Sequence, residues 1–307
     1  MKNNKKLPNF LIVGAAKAGT TSLYYYLKEH PEIYMSPIKE PKFITSNFLK
    51  FPFKGRGDEL IERNIVKIWE EYCSLFREVN DEKAIGEASA DNLYYYEQSI
   101  HYIKKFLGDV KIIIILRNPI ERAFSAYMHL VRDNREFLTL EEALDQEENR
   151  KRQNWEFIWY YKDVGFYYNQ VKAYLESYSK VKIYLFDDLK RNPLDLVQDI
   201  YRFLEVDDLF VPSNIGEKFN ISGVPKNKLI NEFLTRPNPL KSAIKPLVKL
   251  FLSEHNIQRL YNELLQRNLK KPQMKPKTRE YLKNLYKKDI LKLQDLINRD
   301  LTHWLSS

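Results

Sequence analysis

Residues 9–27 read NFLIVGAAKAGTTSLYYYL, and this stretch decides the fold. Four apolar residues, Phe10, Leu11, Ile12 and Val13, run into Gly14, and Gly19 follows after four intervening residues. That is the glycine spacing of a phosphate-binding loop, which in a nucleotide-hydrolysing protein continues with Lys and then Ser or Thr. Here Thr20 and Thr21 follow the glycine, and the lysine, Lys17, sits inside the loop. A strand that ends in a glycine turn and opens a helix presents backbone N–H groups to an anion. Gly19 lets the backbone approach oxygen atoms closely, Lys17 adds a charge, and Thr20, Thr21 and Ser22 add hydroxyls at the helix start. The same letters also fit an ordinary strand-to-helix turn capped by hydroxyls. The lysine and the three hydroxyls, set between strand and helix, favour the anion site.

Outward from the loop, short apolar runs at 33–35, 84–85, 112–116 and 183–186 read as further buried parallel strands. The run at 112–116, IIIIL, is the clearest, because no polar residue alternates within it. Helices are expected at 20–30, 119–131, 140–150, 167–178 and 194–204, with Pro119 at a first helical position. Strands alternating with helices define an α/β fold around a central parallel sheet flanked by helices. From about Lys228 onward the chain reads as helical, ending in a segment at 278–305 with apolar residues at helical spacing. Residues 46–75 are irregular and aromatic-rich, and suit the lining of a cleft. With no linker that separates two units, residues 1–307 are expected to form a single domain.

Composition narrows the function. The chain has 307 residues, 44% of them hydrophobic and 30% charged, and a net charge of +9 that suits an anionic ligand. No nucleic-acid-binding module or long basic tract is evident. Cys73 is the one cysteine, so no internal disulfide can form. No apolar run approaches the ~20 residues of a membrane span. The basic start and apolar run of residues 1–16 mimic a signal peptide, but the glycine loop interrupts the run and favours a buried first strand. A cytoplasmic location and a prokaryotic source are the expectations.

A second anion cue follows the run at 112–116. It ends in Arg117, and Asn118 and Pro119 turn the chain into a helix that carries Ser125 two turns further on. Ligands bind at the carboxyl ends of such strands, where an arginine can fork onto a phosphate and a serine can add a donor. An alternative partner for Arg117 is Glu121. Two separated anion positions suggest a ligand with two phosphates. A Mg-dependent kinase remains a second reading, with Asp187 and Asp188 after the run at 183–186 as metal-binding acids, although the lysine after Gly19 is missing, and a non-catalytic nucleotide-binding protein is a third.

Together KAGTTSL (17–23) and LRNPIERAFSAY (116–127) resemble the sulfotransferases that use 3′-phosphoadenosine 5′-phosphosulfate (PAPS), in the branch of the heparan sulfate and bacterial enzymes. The resemblance extends through 165–178, 181–193 and 218–230 to Trp304, and implies a three-layer fold like that of P-loop NTPases. It assigns the 5′-phosphosulfate to Lys17, Ala18, Gly19, Thr20, Thr21 and Ser22, and the 3′-phosphate to Arg117 and Ser125. Phe186 stands near the aromatic position against adenine. GVPKNK (223–228) resembles a late basic loop closing over the donor, with Lys226 and Lys228 as phosphate contacts.

In SPIKEPKFI (36–44), Glu40 followed by Phe43 matches the general base of the glycan enzymes, and Lys42 stands where some relatives carry a histidine that meets the acceptor. Glu40 can equally pair with Lys39 or Lys42 as a surface acid. Glu87 is implied to orient the acceptor or act as a second acid. Ala88 and Ala90 replace the Lys and Pro that some glycan-specific relatives carry there. The implied reaction moves a sulfuryl group to a hydroxyl or amine of a glycan or small molecule and releases adenosine 3′,5′-bisphosphate (PAP). A sulfuryl group carries less charge than a terminal phosphoryl group, so the chemistry does not require a metal.

Overall fold

The computed structural model describes residues 6–217 and 272–306, with 219, 223–227, 230, 231, 233, 257, 263, 264 and 267–270 between them. The apolar runs become five parallel strands: β1 (Phe10–Gly14), β2 (Ile33–Met35), β3 (Ala84–Ala88), β4 (Lys111–Leu116) and β5 (Val181–Leu185). Their order across the sheet is β2-β3-β1-β4-β5. Ile112 to Leu116 are each 0% exposed. A side chain buried to that degree contributes ~1.5–3 kcal/mol by leaving water, which explains why β4 tolerates no polar alternation. Gly86 in β3 has no room for a side chain, since a Cβ there would stand 2.1 Å from the Phe10 ring.

Helices α1 (Thr20–Lys28), α2 (Tyr96–Leu107), α3 (Pro119–Arg132), α4 (Tyr167–Ser177), α5 (Phe186–Arg191), α6 (Pro193–Leu204) and α7 (Pro276–Ile297) flank the sheet. Asn118 starts α3 by accepting the Ile120 N–H at 3.0 Å ahead of Pro119. Residues 140–150, expected as one helix, divide into Leu140–Asp145 and Glu147–Arg152. Phe186 begins α5 instead of ending β5. The final expected helix stops at Ile297, where Asn298 adopts a left-handed conformation, and a short helix His303–Ser306 follows. Much of the helical region expected after Lys228 lies outside the described residues. The described part adds an antiparallel ribbon, β6 (Val224–Pro225) with β7 (Leu269–Lys270), which the sequence did not suggest.

This topology positions the site. β1 lies centrally, with β3 on one side and β4 on the other, so the connections reverse direction at β1. Ligands of doubly wound sheets bind at the carboxyl ends of strands where that reversal opens a crevice. Here those ends carry the glycine loop, Arg117, residues 87–91 and, after β2, Glu40.

Candidate active site

A cavity of about 1340 Å³ opens at these strand ends. Its wall includes Lys17, Gly19, Thr20, Thr21 and Ser22 from the loop and first turn of α1. Ala18 lies fully buried behind them. The N-cap of α1 is Gly19, so the N-cap residue offers no hydroxyl to cap the helix start. The free N–H groups of a helix start carry partial positive charge and suit an anion. Gly19 has φ 103°, and a Cβ there would lie 2.8 Å from Leu189 Cδ2 and 3.0 Å from the Phe186 ring. Conformation and close approach therefore both require glycine.

The Lys17 Nζ is buried and has no hydrogen-bond partner among the described residues. Burial drives its pKa well below the usual lysine value, Arg132, Arg117 and Lys39 add to the fall, and Asp133 opposes it. An ammonium so placed gains from an incoming anion, because its desolvation is already complete.

Arg117 and Ser125 form a second part of the wall. Arg117 donates to the Lys17 carbonyl at 3.2 Å, and its guanidinium lies 4.9 Å from the Phe186 ring centroid. Glu121 stands 4.0 Å from Arg117 but is held at 2.6 Å by Arg279. The alternative pairing of Arg117 with Glu121 is therefore loose. Phe186 faces the cavity beside the last short helix. That helix is tied down where Asn118 donates to the Trp304 carbonyl and the Trp304 indole donates to Asp187, each at 3.0 Å. Asp187 is also paired with Lys190, and Asp188 with Arg191 and Arg299. Both acids of the kinase reading are thus engaged by side chains.

Glu40 reaches the same cavity from the turn after β2. Its carboxylate pairs with Lys39 at 2.5 Å and keeps 32% of its side chain exposed. Burial pushes its pKa upward, but Lys39, Lys42 and Lys17 outweigh that and hold it below the usual glutamate value. Glu40 is therefore ionised at neutral pH. Lys42 also lines the cavity, yet its ammonium is committed to Glu156 at 2.6 Å, with Asp91 at 3.9 Å. These carboxylates raise the Lys42 pKa against the effect of burial.

The structure does not bring every expected residue into the cavity. Glu87 is 1% exposed and sits behind the Glu40 turn, hydrogen-bonded to Tyr72 and Ser89. Lys226 directly follows β6 and donates to the Arg267 carbonyl at 2.7 Å, outside the cavity lining. Lys228 lies outside the described residues. The sequence reading missed His129 and Arg135, both of which line the cavity. His129 follows Ser125 by four residues and so shares its face of α3, a spacing that was legible. Burial, with Lys17, Arg132, Arg135 and Lys39 nearby, lowers its pKa well below the usual value. Arg135 is held by Asp58 and carries no comparable local signal.

A parallel sheet with a basic glycine loop after β1, a second basic position after β4 and a carboxylate after β2, all on one cavity, defines a group-transfer fold. Residues 8–210 match the sulfotransferase family model, and the chain belongs to that family. A crystal structure of a sulfotransferase from Alicyclobacillus acidocaldarius is 36% identical, with a TM-score of 0.77, over 97% of this chain and 99% of that one. Carbohydrate sulfotransferase 15 of Mus musculus is 31% identical over 163 residues, which is 42% of this chain and 28% of that protein. The bifunctional heparan sulfate N-deacetylase/N-sulfotransferase 2 of Homo sapiens is 27% identical over 224 residues, 67% of this chain and 23% of that protein. The match thus spans about a quarter of these longer relatives. No helix among the described residues is long and apolar enough to cross a membrane.

Proposed function

We propose that the chain transfers a sulfuryl group from PAPS to a hydroxyl or amine of a glycan or small-molecule acceptor. The observation that carries this reading is the buried Lys17 Nζ, without a hydrogen-bond partner among the described residues, sharing one cavity with Arg117, Ser125 and Glu40. In it, the loop N–H groups and Lys17 hold the 5′-phosphosulfate, and Arg117 and Ser125 take the 3′-phosphate. Phe186 packs against the base.

The acceptor atom attacks sulfur in line as the bond from sulfur to the bridging oxygen breaks, and PAP leaves with that electron pair. Glu40 takes the acceptor proton. Charge grows on the departing 5′-phosphate, where Lys17 and the helix start are already fixed. They bind the transition state more strongly than the ground state. The cavity wall also carries the apolar side chains of Phe157, Ile158, Ile61 and Met128 together with Lys42 and Arg135. That lining suits the face of a sugar ring.

Two measurements test the proposal. PAP added without metal should raise the melting temperature by mass action. Labelled PAPS should sulfate at least one member of a panel of desulfated heparin, chondroitin and simple phenols. Failure of both overturns it, and stabilisation by Mg–ATP alone would favour the kinase reading.

A further inference from the structure

Glu40 and Lys42 both have left-handed backbones, with φ 61° and 53°. For residues with a Cβ this conformation costs roughly 1–2 kcal/mol each, and it persists where surrounding bonds enforce it. Three bonds enforce it here. The Glu40 N–H donates to the Ala88 carbonyl at 2.9 Å, and the Val66 N–H donates to the Pro41 carbonyl at 2.9 Å. The Lys42 N–H donates to the Ser89 hydroxyl oxygen at 3.3 Å. A serine hydroxyl has one proton, and its direction decides whether a lone pair faces the Lys42 N–H. Ser89 gives that proton to Glu87 Oε1, while Tyr72 donates to Glu87 Oε2 at 2.8 Å. Tyr72, Glu87 and Ser89 are all at most 1% exposed, so water does not substitute for any of them.

We propose that Glu87 is a positioning residue: through Ser89 and the backbone of residues 40–42 it fixes the Glu40 carboxylate, without touching either substrate. This rests on the reading of Glu40 as the base. Only the Glu87 carboxylate accepts both protons; the neutral acid must give up one of its two donors or compete for Ser89.

The groups facing Glu87 are Tyr72 from the helix Trp69–Ser74, Ser89 and Asp91 beyond β3, Glu40 from the turn, and Tyr174 from α4. Burial, with Asp91 and Glu40 adding, pushes Glu87 up to about 7 against its two hydrogen bonds. The ordering form is the carboxylate, so turnover should rise with pH through about 7.

The test compares wild type with Glu87→Gln, Ser89→Ala and Glu40→Gln, using labelled PAPS and the best acceptor of the panel above. Glutamine keeps the size of Glu87 but offers one acceptor oxygen in place of two. Glu87→Gln and Ser89→Ala should each lower kcat ~10- to 100-fold, as displacing a reacting group by up to about an ångström does. PAP affinity should stay within twofold, and the limb near pH 7 should vanish in Glu87→Gln. Hydrogen exchange supplies a readout that needs no acceptor. The Lys42 amide should lose protection ~10-fold in both variants. The Ser36 amide, bonded to the Gly86 carbonyl at 2.9 Å, should not change.

Unchanged kcat in Glu87→Gln, with Glu40→Gln inactive, overturns this proposal alone. Equal losses of PAP affinity and of protection at both amides also overturn it, since they mark a general loss of structure. Full activity in Glu40→Gln overturns the reading of the base on which the proposal rests.

Discussion

The guanidinium of Arg117 lies 4.9 Å from the ring centroid of Phe186, across the gap between the end of β4 and the start of α5. The same phenyl ring packs over Gly19, where a Cβ would stand 3.0 Å from it. One aromatic side chain thus joins the phosphate loop to the second basic position. Arg117 should therefore contribute to PAP affinity from a preset orientation, with little side-chain entropy left to lose on binding. Arg117→Ala should weaken PAP binding ~10-fold or more, the worth of a charged hydrogen bond. Isothermal titration calorimetry of PAP measures this, and a twofold change would sink the assignment.

Gly19→Ala brings a side chain into a left-handed position already occupied by Leu189 and Phe186. Strain and overpacking together should destabilise the fold by ~1–3 kcal/mol. Denaturant unfolding measures the loss. PAP affinity should fall as well, because the backbone that approaches the phosphate moves.

Lys17→Met and Glu40→Gln should each reduce turnover ~10²-fold at saturating donor and acceptor. They should differ in binding. Lys17→Met removes a charge at the donor phosphate and should also weaken PAP, whereas Glu40→Gln should leave PAP affinity nearly unchanged. Steady-state kinetics paired with calorimetry separates the two roles.

Proton linkage gives a fourth test. The folded Lys17 pKa is depressed, so the unfolded chain binds more protons between that lowered value and 10.5. Stability from this group therefore rises with pH across that window and is least below it, where the charge stays buried. A bound phosphate favours the ammonium and should draw the pKa back up. PAP binding should accordingly take up protons in this window, seen as enthalpies that depend on buffer ionisation, and Lys17→Met should abolish the effect. Glu40 has the same sign in a lower window: its depressed pKa adds stability above the unfolded glutamate value, which is lost as pH falls through the folded value.

Breaking the Lys42–Glu156 pair should be costly, because the side chains are 6% and 2% exposed and removal of Lys42 leaves the buried Glu156 carboxylate without its ammonium. Lys42→Met should destabilise the protein by ~3–5 kcal/mol. Thermal and denaturant unfolding check this, with PAP affinity as the control for the donor side of the cavity.

The apolar runs made five strands legible, because buried parallel strands need unbroken apolar sequence and few other elements do. The loop at 14–22 and the Arg117–Ser125 pair were legible for a related reason. Each is local, and strand-then-helix geometry fixes where its residues point. The limits of α5 and the division of residues 140–152 were not, since neighbouring elements set them. The β6–β7 ribbon pairs residues some 45 positions apart, with two residues a side and no periodic signal.

The sequence by itself determined the sheet, the glycine loop after β1 and the place of Arg117 at the end of β4. Tertiary structure alone decided what each side chain spends its charge on. It leaves Lys17 Nζ without a hydrogen-bond partner among the described residues and ties Lys42 to Glu156, 114 residues away. It also turns Glu87 inward to Ser89 and Tyr72 while Glu40 stays at the cavity. The reason is physical: a residue type fixes which bonds are possible, and burial beside distant neighbours fixes which are made.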